Sequence, residues 1–301
     1  MQGFDLIGDI HGYGGTLSRL LTRLGYEPDG SLYRHPSRTA IFVGDIINRG
    51  PNIREALEIV RGMCEHGSAL MVLGNHEVEA LRCWLPDGRG LRPGITPMRR
   101  ERCRETLRQL AEPSPEDWRG YLLWFRSLPL YLDFPGFRVV HACWAPDAIE
   151  ALGWMRGIPP MTTAPCEPRR RRLLRAVRTL TDGPDFAIPG SPKPNRVRSR
   201  WWVNPETTPL ADAVLPTGGQ LPTLPHAFPS TAQTRAFRPY PPDERPVFFG
   251  HYAFPGHPLP YRSNIACLDL GLARGEALCA YRWSGEREIS RKNFVVIQAR
   301  G

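Results

Sequence analysis

The sequence predicts an α/β protein built on parallel strands, and two observations carry that reading. Three apolar runs rich in β-branched and aromatic residues, 4–7, 39–43 and 68–73, each end in a polar turn and lead into a stretch with helical apolar spacing. Four further short apolar runs, 247–249, 265–268, 278–281 and 294–297, follow near the C-terminus. Three successive strand–turn–helix units require right-handed crossovers, so their turns gather at one sheet edge. That edge is the carboxyl end of the strands, where open α/β sheets place their sites.

The first unit is 4–7, then Gly8-Asp9-Ile10-His11-Gly12, then Leu17, Leu20, Leu21 and Leu24 at helical spacing, with Gly25 as the stop. The second is 39–43, then Gly44-Asp45-Ile46-Ile47-Asn48-Arg49-Gly50-Pro51, then Ile53, Ala56, Leu57 and Val60. Its two glycines let the backbone turn tightly around a carboxylate and a guanidinium, and Pro51 suits a first helical turn. An acid and an arginine at a strand exit point to a phosphate or metal site. The third unit is 68–73, then Gly74-Asn75-His76-Glu77 and a helix over 78–84.

Residues 86–104 form a Gly/Pro/Arg-rich excursion. Trp118, Tyr121, Leu122 and Phe125 then mark a helix with one apolar face, a core stripe and not a base-stacking platform. Runs 130–134 and 137–140 read as paired strands joined at Pro135-Gly136, and the second delivers His141 to its exit. From 154 to 246 prolines recur around a helix running from Arg169 to Leu180, which predicts a cap-like insertion within a single domain spanning 1–301. The last four runs, with Gly250-His251-Tyr252 after the first, are expected to close a second sheet as antiparallel strands.

With 301 residues, 41% of them hydrophobic, the chain can bury a full core. No apolar run approaches the roughly 20 residues of a membrane span, and the first residues carry no secretory leader, so the expected location is cytoplasmic with no membrane partner. Seven scattered cysteines without a C-x-x-C pair exclude a thiolate zinc cage and a disulfide frame. The net charge of +9, largely from arginine, favours phosphate-rich or acidic partners.

Collected, the strand exits offer Asp9, His11, Asp45, Asn75, His76, His141 and His251. This mixed oxygen and nitrogen set suits two divalent metal ions, with manganese the first choice and iron or zinc the alternatives. If Asp45 bridges the pair, Asp9 and His11 complete one side and Asn75, His141 and His251 the other. Such a pair would acidify a bridging water and clamp an in-line phosphoryl displacement.

In order along the chain, Gly8-Asp9-Ile10-His11-Gly12, Gly44-Asp45 through Arg49-Gly50, Gly74-Asn75-His76-Glu77, His141-Ala142 and Gly250-His251 resemble the calcineurin-like metallophosphoesterase superfamily. The likeness is greatest to its phosphoprotein phosphatase branch, which includes bacterial serine/threonine phosphatases and diadenosine tetraphosphatase-like enzymes. Cys267-Leu268-Asp269 and Ala280-Tyr281-Arg282-Trp283 look like the family's closing strands. The resemblance implies a four-layer α/β/β/α sandwich with two mixed β-sheets. It also implies Asp9, His11, Asp45, Asn75, His141 and His251 as metal ligands, His76 as general acid and Arg49 as phosphate clamp. Asn48 departs from the pattern, because phosphoprotein phosphatases usually have aspartate there. An amide would hold the acid histidine while stabilising its imidazolium less.

These features imply a two-metal hydrolase of phosphoesters or phosphoanhydrides, acting on a phosphoprotein or small phosphomonoester. A symmetrical dinucleoside polyphosphate hydrolase is the alternative. A catalytically weak polyanion-binding module is a further one, and a nucleic-acid binder would show steep salt dependence that survives metal chelation. Arg235, Arg238 and Arg262 are the candidates for a second phosphate arginine. Arg169 to Arg172 read as a solvated helix face or a polyanion grip, and Trp201-Trp202 as cap packing or a stacking pair. His35, His66, His226 and His257 read as structural or solvent-facing.

Overall fold

The three apolar runs form strands Gly3–Ile7, Arg38–Phe42 and Ala69–Met71, paired in parallel in that order. The computed structural model describes residues 2–30, 32–84, 90–153, 155, 158, 168–187, 196–215, 238–254 and 256–299. Helices Gly14–Leu24, Ile53–Glu65 and Asn75–Cys83 follow the three strands. In the first of them Leu17, Leu20, Leu21 and Leu24 are buried, and Gly25 ends the helix in the left-handed region at φ 89°.

Strand Ala277–Trp283 pairs antiparallel with Gly3–Ile7, and Phe294–Gln298 pairs antiparallel with Ala277–Trp283, which completes a five-stranded mixed sheet. Asp5, fully buried in its central strand, accepts Arg38 Nε at 2.9 Å from one neighbouring strand and Arg282 Nε at 3.1 Å from the other. The second sheet runs Ile265–Cys267, Val247–Phe249, Arg138–Val140, Tyr131–Asp133. Its first three strands are parallel, and the fourth joins by the hairpin at Pro135-Gly136.

The four C-terminal runs therefore do not close one antiparallel sheet. Residues 250–264 carry the chain back so that Ile265–Cys267 runs parallel to Val247–Phe249. The last two strands instead cover the Gly3–Ile7 edge of the first sheet, which would otherwise expose unpaired backbone groups. Spacing alone does not reveal which edge a strand will find.

Side-chain alternation separates the layers. Leu6, Ile41, Val43 and Tyr281 of the first sheet meet Phe137, Val139, Phe248 and Ala266 of the second in one apolar layer. The alternate residues, Ile7, Ala40 and Phe42 on one side and Val140, Val247 and Phe249 on the other, join the helix-lined core. Helices thus cover the outer face of each of two mixed sheets, as the resemblance implies.

Among the described residues, Trp118, Tyr121, Leu122 and Phe125 are buried on helix Pro115–Ser127. Trp201 and Trp202 are buried as well, with ring centroids 5.2 and 5.7 Å from Phe249, so neither offers a stacking face. His66 and His257 are exposed, and His35 packs edge-on to Tyr26. Much of the predicted insertion, including Pro189, Pro192, Pro194, Pro216, Pro222, Pro225 and Pro229, lies outside the described residues, as do His226, Arg235 and Cys166. No described helix is long and apolar enough to cross a membrane.

Candidate active site

The strand exits of both sheets meet at one edge, and the sequence-predicted residues converge there on a cleft of about 650 Å³. Asp45 sits at the centre. Its Oδ2 lies 3.7 Å from His11 Nε2, and its Oδ1 lies 3.4 Å from His141 Nε2. On the first side, His11 Nε2 is 4.0 Å from Asp9 Oδ2. On the second, Asn75 Oδ1 is 3.1 Å from His141 Nε2 and 2.9 Å from His251 Nδ1.

Backbone conformation makes this convergence possible. His11, Asp45, Asn48, Arg49 and His251 all have positive φ, between 46° and 75°, and Ala253 at 50° is the one other such non-glycine among the described residues. Left-handed backbone is disfavoured for these side chains, and its confinement to one site shows that the surroundings impose it. Gly44, at φ 104°, leaves room for Gly74 and His141, and a Cβ on Gly250 would overlap Asp9.

Three hydrogen-bond networks fix the side chains. His141 Nδ1 donates to Val43 O at 2.7 Å and His11 Nδ1 faces Ile47 O at 3.3 Å, so both rings turn Nε2 toward Asp45. The carboxylate of Glu77, fully buried, accepts the N–H groups of Asp45 and Ile46 at 2.9 Å each, with Gly74 and Ile47 completing the set. Thr106, also fully buried, donates to Asn48 Oδ1 at 2.6 Å and accepts the Asn48 N–H at 3.2 Å.

The Thr106 bond turns the Asn48 amide so that Nδ2 donates to His76 Nδ1 at 2.8 Å. Neutral His76 then carries its proton on Nε2, facing the cleft. Arg49 Nη2 lies 3.4 Å from that Nε2, at the outer limit of a hydrogen bond, and the shorter Asn48 contact decides the tautomer. Burial pushes His76 down to about 3, against the opposing pull of Asp45, so the ring is neutral at physiological pH.

The electrostatics show what the site lacks. Asp9, Asp45 and Asp269 are all at least 97% buried, and buried carboxylates require a cationic counterpart. Burial pushes the Asp9 carboxyl well above the usual range, and neighbouring Asp269 adds to that. Burial also opposes ionisation of Asp45, but His141 and His76 more than offset it and hold that carboxyl well below the usual range. His141 loses charge stability by burial yet is raised to about 10 by Asp45. Asp9 Oδ1 and His251 Nε2 are buried with no hydrogen-bond partner among the described residues.

The donor atoms of two groups, His11/Asp45/His76 and Asp45/His141/His251, each lie within 4.8 Å of one another and could hold a metal. Neighbouring donors of one first-row ion, about 2.0–2.2 Å from it, stand roughly 3–3.5 Å apart. The spacings given above among Asp45 Oδ1, His141 Nε2, Asn75 Oδ1 and His251 Nδ1, 2.9 to 3.4 Å, lie in or just below that range. Divalent cations therefore fit the residues present.

Sequence reasoning missed three residues of this site. Thr106 closes the short helix Arg104–Thr106, just after the 86–104 excursion, and carries no recognisable local signal. Asp269, whose carboxylate accepts the N–H groups of Ala253 at 2.6 Å and Gly271 at 2.9 Å, holds the His251 loop. The third is Arg198, which lines the cleft and, after burial, is the main cause of the low basicity of His251. Of the earlier candidates, Arg262 is spent on the carbonyls of Trp202 and Tyr240, and Arg238 pairs with Asp147 at 3.6 Å away from the cleft.

Comparison with known proteins agrees with this architecture. The chain is 32% identical over 157 residues to the asymmetrical bis(5'-nucleosyl)-tetraphosphatase PrpE of Halalkalibacterium halodurans, covering 50% of this chain and 61% of that protein. It is 32% identical over 136 residues to the symmetrical bis(5'-nucleosyl)-tetraphosphatase of Aromatoleum aromaticum, covering 45% and 42%. The shared region spans less than two thirds of either relative. Among solved structures, the cold-active protein-tyrosine phosphatase of a psychrophilic Shewanella species aligns with TM-score 0.54 at 15% identity, covering 96% of this chain and 80% of that one. A serine/threonine phosphatase from Saccharomyces cerevisiae with similarity to human phosphatase PP5 aligns with TM-score 0.50 at 14% identity, covering 98% and 79%. At these identities the structural likeness is one of fold. Residues 4–155 match the calcineurin-like phosphoesterase model, and the chain belongs to that family of metal-dependent hydrolases.

Proposed function

We propose that this protein is a two-metal hydrolase of phosphoanhydrides and phosphoesters. The observation that carries the proposal is Asp45 standing between two donor sets, one carboxylate oxygen turned to each. Asp9, His11 and Asp45 would hold one divalent ion, and Asp45, Asn75, His141 and His251 the other, with manganese the first candidate. Bound there, the ions supply a Lewis-acidic grip on phosphoryl oxygens and an acidified water.

The chain's own residues do the rest. Arg49, exposed at the cleft, grips phosphate oxygens through its planar fork. His76 Nε2–H faces the leaving oxygen and donates its proton there, while Thr106 and Asn48 hold the ring. A neutral imidazole is a weak acid, so leaving groups that depart with little help are favoured. The leaving phosphate of a phosphoanhydride is such a group.

The lining of the cleft supports the same choice. Arg82, on helix Asn75–Cys83, lines the cleft with Arg102 and Arg274, and none of the three forms an ion pair among the described residues. Unneutralised guanidinium groups suit a substrate whose charge continues beyond the scissile phosphate. A dinucleoside polyphosphate has that character, as the names of the two relatives also suggest. A phosphoprotein or small phosphomonoester is the second reading, favoured by the fold shared with protein phosphatases.

The test is manganese-dependent phosphate release from diadenosine tetraphosphate, p-nitrophenyl phosphate and a phosphopeptide in parallel, with Asp45→Asn as control. Faster turnover of the tetraphosphate, abolished in the variant, supports the proposal. Preference for the phosphopeptide selects the second reading, and no turnover in protein shown to hold two metals per chain removes both.

A further inference from the structure

Helix Pro168–Asp182 carries an arginine stripe that the catalytic reading does not use. Arg171, Arg175 and Arg178 are exposed, and with Asp182 they fall at i, i+4, i+7 and i+11, so the four share one helix face. Asp182 lines the catalytic cleft. At about 1.5 Å per residue, the three arginines span roughly 10 Å, and the same face reaches the cleft one turn further on, at Asp182.

This end of the helix is fixed against the site. Leu180 O accepts the N–H of Ala142 at 2.9 Å, next to His141, and Arg198 Nη1 donates to Asp182 O. Beside the stripe, Arg172, Arg175 and Arg238 line a groove of about 230 Å³ between this helix and Pro146–Leu152. The acid in that groove, Asp147, pairs with Arg238, and none of Arg171, Arg172, Arg175 and Arg178 forms an ion pair among the described residues.

We propose that this arginine face is a docking surface for single-stranded nucleic acid that leads the strand toward the cleft. Guanidinium groups spaced along a helix match a repeating phosphodiester charge, and such binding needs no side-chain pocket. A protein partner commonly adds an aromatic or apolar anchor beside the arginines. Among the described residues, the exposed large hydrophobic side chains, Leu70, Met98, Leu123, Leu259 and Tyr261, all lie off this helix. The docking itself does not depend on catalysis.

The experiment measures binding of fluorescent 15-nucleotide RNA and DNA strands to the full chain across a salt series, with an Asp/Glu-rich peptide of equal charge as competitor. Log affinity is expected to fall linearly with log salt. The triple variant Arg171→Ala/Arg175→Ala/Arg178→Ala should lower that slope by about 2, at roughly 0.7 per lost phosphate contact, and weaken binding at least tenfold at 0.1 M salt. A control removing three other exposed cations, Arg287→Ala/Arg291→Ala/Lys292→Ala, should leave binding within twofold. Thermal midpoints and p-nitrophenyl phosphate turnover of both variants report folding and the catalytic reading separately. An unchanged slope in the first triple, equal losses in both triples, or displacement by the peptide as effective as by nucleic acid would overturn the proposal.

Discussion

Glu77 accepts the backbone N–H of Asp45 at 2.9 Å from a fully buried position, and its other oxygen accepts Ile46 at 2.9 Å. One carboxylate thus fixes the left-handed turn that aims Asp45 at both halves of the site. In Glu77→Gln one acceptor oxygen becomes an amide that faces backbone donors. A buried charged hydrogen-bond set broken on one side costs about 3 kcal/mol. Denaturant titration should show that loss, together with a falling metal content by elemental analysis. An unchanged midpoint would mean that the turn holds without Glu77.

Removing the metals has its own signature. Dialysis against a chelator should abolish turnover, and manganese should restore it. Ions that bind only the folded chain would, at a free concentration 100-fold above Kd, add about 2.7 kcal/mol of stability per site. The thermal midpoint should therefore rise with manganese in the native protein and much less in Asp45→Asn. Equal shifts in both would place the cation elsewhere.

The parallel strands, the three turns and the candidate donor residues that meet at the cleft are legible in the sequence because each is local. A strand, its exit motif and its helix occupy about 25 consecutive residues, and periodicity reports them. Glu77 stands inside a readable motif, yet its role as anchor for residues 45–47 depends on a contact across some 30 residues. Thr106 and Arg198 lie in stretches with no periodic pattern, and only the folded chain brings them to Asn48 and His251. The positive φ values of Asp45 and Asn48 are likewise invisible, because tertiary contacts impose them on residues that would avoid them.

The Thr106–Asn48–His76 chain makes Asn48→Asp informative. Thr106 can still donate to the new carboxylate, which would accept a hydrogen bond from His76 Nδ1–H and favour the imidazolium. The basicity of His76 should rise from about 3, so the variant gains an imidazolium donor at low pH and loses it as pH rises, an alkaline limb that the native ring, neutral throughout, does not give. Phenyl phosphate, a poor leaving group, should gain relative to p-nitrophenyl phosphate. Thr106→Val should lower kcat for both by roughly 10–100-fold, the usual effect of losing an outer-shell orienting group. If the ratio of the two substrates stays constant in Asn48→Asp, His76 is not the proton donor.

Arg198 and Arg262 separate recognition from architecture. Arg198→Ala should raise KM for the tetraphosphate about tenfold, since the residue lines the cleft, and should cost about 1 kcal/mol of stability through the lost bond to Asp182 O. Arg262 is held by Trp202 O at 3.0 Å, Tyr240 O at 2.6 Å and Asn264 Oδ1 at 3.2 Å, so Arg262→Ala leaves those acceptors unpaired. A loss of about 2 kcal/mol of stability with KM unchanged is expected there. The reverse pattern would exchange their roles.

Alkaline stability tests the core away from the site. Burial pushes the Cys64 thiol up to about 12, and it raises the Cys279 thiol and the Tyr26 and Tyr261 phenols as well. For each of these groups the folded chain holds its proton to higher pH than the unfolded chain. Between pH 9 and 12 the folded state therefore binds more protons, and the slope of stability against pH is negative. The contribution is complete below about pH 9, where both states are protonated, and is lost as pH rises through the folded values. Thermal midpoints should be flat from pH 7.5 to 8.5 and fall steadily above 9. Cys64→Ala should flatten the first part of that fall, because alanine has no proton to release on unfolding. A slope unaffected by the substitution would show that the half-buried Cys64 thiol titrates alike in both states, and a midpoint that rises above pH 9 would show that other groups outweigh these four.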